Sequence, residues 1–326
     1  MKEFVLGIDI GGTSAKFGLV NRDGDVFNEG SVPTVDTTSV DEVLKPIHEM
    51  VTAILEQTPE YKLIGAGVGA PNSNYYKGTI EFAPNLNWGE KVDFKSEFKK
   101  YFDFPMVLTN DANAAAIGEK VFGGGQNMKD FVVFTLGTGL GSGIVVNGDV
   151  VYGYSGFAGE LGHVTVNPKG RYCACGRRGC LETYVSATGI KRTVYKMLAD
   201  YTDPSVLREV SYDDLNAKMI TEAAIDNDFI AIKAFEYTGK ILGIKLADTV
   251  VHTSPQAIFL FGGLVNAGKY LFEPTIKHME KNMFKAFRGT VQLLPSALMD
   301  KNAAVLGAAA LAWNEADKHT GIINLI

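Results

Sequence analysis

IDIGGTSAKFGLV, residues 8–20, and FTLGTGLGSGIVV, residues 134–146, are two versions of one pattern: an apolar strand, a turn of glycine and threonine, and a second strand. A glycine turn presents backbone N–H groups to an anion with no Cβ in the way, and the threonine adds a hydroxyl donor. Either copy alone reads as an ordinary tight hairpin. One in each half of the chain reads as an internal duplication, with two facing turns, at Gly11, Gly12, Thr13 and at Gly137, Thr138, Gly139, clamping a phosphate between two domains. Neither copy matches G-x-x-x-x-G-K-[ST] or G-x-G-x-x-G, so Walker-type and Rossmann-type nucleotide binding are both unsupported.

The flanking sequence gives the scaffold. Phe4–Asp9 and Lys16–Val20 read as strands, and Val40, Val43, Leu44, Ile47, Val51, Ile54 and Leu55 fall at helical spacing. Residues 63–69 form the next strand, Val107 and Leu108 end another, and residues 112–122 follow as a helix. In the second half, residues 131–136 and 141–147 repeat the hairpin, and the apolar strand 257–261 runs into Gly262 and Gly263, at a strand end where α/β sheets commonly meet ligands. A chain of 326 residues exceeds what one hydrophobic core usually organises, which agrees with two domains.

Composition narrows the partners. A net charge of −6 argues against a nucleic-acid backbone, which selects a basic face. MKEFVLGID holds too short an apolar stretch for a signal peptide. The longest apolar run, residues 303–313, has about half the length a bilayer crossing needs. The expectation is a cytoplasmic protein with no membrane partner.

All three cysteines lie in GHVTVNPKGRYCACGRRGCLE, residues 162–182. In a reducing compartment an odd, clustered set of thiols points to metal more than to disulfides. Cys173, Cys175, Cys180 and His163 supply the three thiolates and one imidazole of a tetrahedral zinc site, the alternative being thiols without metal. Arg177 and Arg178 favour the thiolate forms. Four protein ligands leave no open position for substrate, so this zinc would organise structure.

Carboxylates mark the chemistry. Asn110 and Asp111 stand where a strand enters a helix and read equally as a helix cap. Asp9, beside the first glycine turn, would orient a hydrated magnesium ion near phosphates. Glu160 and Glu182 flank the cysteine cluster and would accept hydrogen bonds from the vicinal hydroxyls of a polyol.

Taken together, Gly162-His163, C-x-C-G-x-x-G-C-x-E, D-x-G-G-T at Asp9 to Thr13 and N-D-A-N at Asn110 to Asn113 resemble the ROK family of repressors and sugar kinases, which includes many bacterial glucokinases. The resemblance runs from residue 4 to about residue 312. It implies two actin-like (ribonuclease H-like) α/β domains with a cleft between them and a structural zinc motif. The domains would be residues 1–110 plus 301–326 and residues 111–300, the last helix, about residues 301–314, returning to the first.

By the same resemblance Asp111 is the general base facing the 6-hydroxyl of a hexose, and Asn85, Asn110, Glu160, His163 and Glu182 line the sugar. Gly11, Gly12, Thr13 and Gly137 to Gly139 hold the phosphates of ATP, whose magnesium accompanies it, and Gly262 and Gly263 approach the adenosine. The implied activity is phosphorylation of glucose by a homodimer. An N-acetylhexosamine or fructose kinase is the alternative, and a sugar-responsive regulator is the reading from another class.

Two departures matter. The first strand begins at about Phe4, leaving no room for the helix-turn-helix module that precedes D-x-G-G-T in the family's repressors. The usual G-P-G-P pattern is replaced by Gly69-Ala70-Pro71-Asn72, followed by Tyr75 and Tyr76, in a loop that leads to Ala83, Pro84 and Asn85 and forms a wall of the expected pocket.

Overall fold

Lys2–Ile10 (β1) is buried along most of its length, as its uninterrupted apolar run requires of a central strand. Around it lie Ser14–Val20 (β2), Val26–Pro33 (β3), helix Asp41–Gln57 (α1) and Tyr61–Gly69 (β4). The short strands Ser73–Asn74 (β5), Thr79–Glu81 (β6) and Lys91–Val92 (β7) form a small separate sheet. Helix Phe94–Phe98 (α2), strand Met106–Thr109 (β8) and helix Asp111–Phe122 (α3) follow. The main sheet has the order β3-β2-β1-β4-β8, with β2 antiparallel and β4 parallel to β1. The computed structural model describes residues 1–83, 85–299 and 302–320.

The two faces of β1 meet different partners. Phe4, Leu6, Ile8 and Ile10 enter one core with Val43, Leu44, Ile47 and Val51 of α1, each such side chain contributing about 1.5–3 kcal/mol of burial. On the opposite face Gly7 pairs with Gly18 of β2 and with Gly67 of β4, a row of three glycines across three strands. The terminal helix Ala303–Thr320 lies in that trough. A Cβ on Gly7 would meet the Val305 carbonyl, and one on Gly67 the Ala308 carbonyl. The alanine-rich helix can settle on the sheet because neither surface has side chains to hold them apart. Lys301, named with this helix from the sequence, and Pro84 lie outside the described residues.

The second sheet repeats the first. Phe131–Leu136 (β9), Leu140–Val146 (β10) and Asp149–Val150 (β11) are followed by helices Glu182–Val185 (α4), Ala187–Asp200 (α5), Ala217–Ile225 (α6) and Phe229–Thr253 (α7). Strand Ala257–Phe261 (β12), helix Lys269–Asn282 (α8) and strand Gln292–Pro295 (β13) complete the set. The order β11-β10-β9-β12-β13 places an antiparallel hairpin and two parallel neighbours as in the first sheet. The duplication read from two turns is thus a duplication of sheet topology. No helix among the described residues is long and apolar enough to cross a membrane.

The chain divides into one unit of Met1–Met128, Val150–Ala158 and the chain from Ala297 onward, and another of Lys129–Asp149 and Gly159–Ser296. This differs from the expected boundary at residue 110: α3 belongs to the first unit. It packs on the terminal helix where a Cβ on Gly118 would come within 3.0 Å of Gly307 Cα. Segment 150–158 also joins the first unit, where Tyr152 stacks on Tyr75 (ring centroids 4.0 Å apart) and Ser155 O accepts from Asn74 Nδ2 at 2.8 Å. Tyr75, expected in a pocket wall, is therefore occupied in packing, and its hydroxyl donates to Glu315 Oε1 at 3.0 Å.

Candidate active site

In the first unit the site residues gather at the carboxyl ends of the parallel strands β1, β4 and β8, where open α/β sheets bind ligands. Asp9 lies at the end of β1 and Gly69 at the end of β4, and a Cβ on Gly69 would stand 3.5 Å from Asp9 Oδ1 and 3.8 Å from Asp111 Cα. At the end of β8 the cap question resolves. Asn110 is the N-cap of α3, its Oδ1 accepting from Asn113 N at 2.7 Å, and Asp111 is the first residue of the helix. Asp111 Oδ1 accepts from its neighbour's N–H, Ala112 N at 2.8 Å. The cap does not need the Asp111 carboxylate.

Crowding by protein around the Asp111 carboxyl raises its pKa, opposed by hydrogen bonds from the backbone, although the residue keeps exposed surface. Asp9 is pushed up to about 6, first by burial and then by the charge of Asp111, with Lys16 opposing. Two carboxylates side by side with one partial counter-charge make a site that a hydrated divalent cation would relieve.

The first glycine turn adjoins them. Gly11 O accepts from Thr34 Oγ1 at 2.6 Å and Thr13 O from Thr34 N at 3.1 Å, which holds the carbonyls of the turn on one side. Asn85 is exposed and packs on the turn, where a Cβ on Gly12 would come within 2.7 Å of Asn85 Cβ.

In the second unit the Gly137 to Gly139 turn joins β9 to β10. Gly262, at φ +107°, follows β12, and a Cβ there would stand 2.6 Å from Leu136 O, so only glycine allows the two strand ends to converge. Gly262 is thereby brought against the strand end that leads into the Gly137 to Gly139 turn.

The four residues expected to bind zinc also converge. The donor atoms of His163, Cys173, Cys175 and Cys180 all lie within 4.8 Å of one another. Cys175 Sγ is 3.6 Å from Cys180 Sγ, and Cys173 Sγ is 3.7 Å from His163 Nδ1. A tetrahedron built on 2.3 Å zinc–sulfur bonds has edges of about 3.8 Å, so the donor set fits the ion. All three cysteines are free. Burial raises the Cys180 thiol, with the charge of Arg177 opposing. At Cys175 burial is outweighed by hydrogen bonds, the backbone of Arg177 first among them, and by the charge of Arg177, so that this thiol lies below its ordinary value. Arg177 also donates to His163 O at 3.3 Å. Arg178 does not take the part expected of it in the thiol cluster and stacks on Tyr172 at 3.6 Å.

Glu160 is exposed just before the 3-10 turn Leu161–His163. Glu182 opens α4 two residues after Cys180, with Oε2 accepting from Leu140 N at 3.0 Å and Oε1 3.6 Å from Cys173 Sγ. That carboxylate touches both the Cys₃His cluster and the end of the second glycine turn.

Sequence reasoning missed several residues that support these groups. Thr34 ties down two carbonyls of the first turn. Ser142 Oγ donates to Gly159 O and accepts from Leu161 N, holding the segment that carries Glu160 and His163. Arg171 donates to Thr183 O at 2.7 Å, Gly189 O at 2.9 Å and Thr193 Oγ1 at 2.9 Å and stacks on Tyr184. No spacing rule marks such residues, because their partners are distant in sequence or on other elements.

The ROK family model matches residues 5–315. The chain belongs to the ROK family. Among ROK proteins it is 33% identical to a glucokinase of Thermotoga maritima, over 94% of this chain and 96% of that protein. It is 31% identical to a xylose repressor of Bacillus spizizenii, over 94% of this chain and 76% of the repressor. Its fold matches a ROK family glucokinase from Streptomyces griseus in complex with glucose and AMPPNP, with a TM-score of 0.80 and 32% identity over 95% of this chain and 99% of that one. The ROK fold thus accounts for both sheets.

Proposed function

We propose that this ROK protein is an ATP-dependent hexokinase that transfers the γ-phosphoryl group to the 6-hydroxyl of glucose. The observation that carries the reading is Asp111: a carboxylate at the head of α3, beside Asp9, with the capping duty taken by Asn110. Its raised pKa moves it toward the operating pH, as suits a general base. Similarity to named glucokinases supports the choice of glucose.

Phosphoryl transfer passes through a loose transition state, so alignment and charge stabilisation do most of the work and Asp111 takes the hydroxyl proton late. Asn85, Asn110, Glu160, His163 and Glu182 orient the sugar. With Nδ1 on the metal side, the His163 ring keeps its other nitrogen for a hydroxyl. The turns at Gly11 to Thr13 and Gly137 to Gly139 hold phosphate oxygens through N–H groups, and Gly262 and Gly263 leave room for the adenosine. Magnesium arriving with ATP neutralises phosphate charge, and Asp9 would hold its water shell. Zinc on His163, Cys173, Cys175 and Cys180 would fix the sugar-facing loop. The active species is a homodimer in the cytoplasm, a reading supported by the family alone and tested by sedimentation.

Release of ADP measured against glucose, fructose, N-acetylglucosamine and N-acetylmannosamine tests the proposal. Glucose should give the highest kcat/KM. A regulator related to the xylose repressors is the second reading, favoured by the 31% identity to one of them. Sugar binding with no ADP release from any sugar would establish it.

A further inference from the structure

The second phosphate turn is held by the element that leaves the metal cluster. Gly137 O accepts from Ala187 N at 2.8 Å, and Thr138 O accepts from Thr188 Oγ1 at 3.0 Å. Between Cys180 and these two donors lie only Leu181, α4 and Ser186, which caps α5 by accepting from Gly189 N at 2.9 Å. Glu182, on the same short segment, takes the N–H of Leu140 just past the turn. Nine residues, 180–188, therefore grip the turn at three successive places: the Gly137 carbonyl, the Thr138 carbonyl and the Leu140 N–H.

The first unit uses the same device. There Thr34 supplies both the hydroxyl, to Gly11 O, and the backbone N–H, to Thr13 O. In each turn one threonine hydroxyl and one backbone N–H claim two carbonyls. Among the described residues no acceptor takes the N–H of Gly12, Thr13, Thr138 or Gly139. A peptide whose carbonyl is tied on one side presents its N–H on the other, so binding the carbonyls prepares the turn for an anion.

We propose that Thr188 is a positioning residue of the nucleotide site, through which segment 180–188 makes nucleotide affinity depend on the metal held by His163, Cys173, Cys175 and Cys180. The inference rests on the kinase reading of the turns. It departs from a purely sugar-facing role for the zinc, since the metal acts on both substrates through one segment. Thr34 acts in the first unit, with no link to the metal.

The experiment measures binding of magnesium AMPPNP by calorimetry, without sugar, to zinc-loaded full-length protein. Thr188→Val should weaken binding about 3- to 10-fold, the loss expected for one neutral hydrogen bond, and Thr188→Ser should restore it. Zinc content and glucose affinity should be unchanged in both, which a general packing defect would not allow. Removing zinc should weaken AMPPNP binding in wild type and in Thr34→Val by the same factor, and by a smaller factor in Thr188→Val, whose link is already cut.

Normal AMPPNP affinity in zinc-loaded Thr188→Val overturns the proposal, and so does equal zinc dependence in all three proteins. If the zinc-free protein loses its near-ultraviolet circular dichroism, zinc-loaded Glu182→Ala replaces that arm. It should then lose AMPPNP affinity along with glucose affinity, and loss of glucose affinity alone overturns the coupling. Failure of the wild-type, zinc-loaded protein to bind AMPPNP at all would instead overturn the kinase reading beneath it.

Discussion

Asp111 carries the sharpest test at the scale of one residue, because Asn110 rather than Asp111 caps α3. Asp111→Asn should leave the thermal midpoint and glucose affinity near wild type while turnover falls at least about 100-fold, the lower range for a general base. Near-normal turnover in a folded, glucose-binding variant would remove Asp111 from the chemistry. Its neighbour Asp9 makes a prediction about pH. A carboxyl raised from 3.8 to about 6 holds its proton more tightly in the native state than in the unfolded one. The stability this adds is full below about pH 4, declines as pH rises through this window, and is gone above about pH 6. Ionised Asp9 therefore costs up to about 3 kcal/mol at neutral pH. Asp9→Asn should raise the thermal midpoint, more at pH 8 than at pH 5, while impairing turnover. An equal gain at both pH values would show that titration of Asp9 is not the cause.

Among the elements, the terminal helix depends on what β1, β2 and β4 lack. Gly18, Gly7 and Gly67 stand in register beneath it, and the Ala308 carbonyl occupies the space that a Cβ on Gly67 would need. Gly67→Ala should lift the helix from the sheet and destabilise the protein by about 1–3 kcal/mol, the usual cost of overpacking a close contact. Ala308→Gly would not relieve the clash, because the obstacle is the backbone. Chemical denaturation checks this, and unchanged stability in Gly67→Ala would mean that the helix does not sit in the glycine trough. The same row explains why a run as apolar as residues 303–313 serves as a buried helix.

At the scale of the whole molecule both units have apolar cores, Phe131, Phe134, Phe235 and Phe259 being fully buried in the second. The first has a core of large apolar side chains between α1 and its sheet. In the second, segment 162–182 holds one short 3-10 turn and the isolated bridges Thr165 to Cys180 and Tyr172 to Arg178, and hydrogen bonds from Arg171 and, on the zinc reading, the metal would take the place of regular structure there. Purified protein should contain about one zinc per chain. Chelation should reduce hydrogen-exchange protection first across residues 162–188 and then in the rest of the second unit, while β1, β2 and β4 keep theirs. Simultaneous loss in both units, or no loss anywhere, would contradict a structural metal confined to one unit.

The sequence by itself determined whatever depends on short-range pattern. Apolar periodicity marked α1, β1, β4, β9 and β12, and glycine–threonine turns marked the duplication. Cysteine spacing marked the candidate metal ligands, because a tetrahedral ion needs its donors close together and these are close already in the chain. The tertiary structure alone decided that α3 and residues 150–158 join the first unit, and that Arg178 stacks on Tyr172 while Arg177 serves the thiols. It also decided that Glu182 and Thr188 reach back some 42 and 50 residues to grip the second turn. The physical reason is common to all of these. Strand register, helix docking and hydrogen bonds to backbone carbonyls depend on which distant segments the core brings together, and a backbone acceptor is present at every residue, so its chosen partner leaves no mark in the sequence.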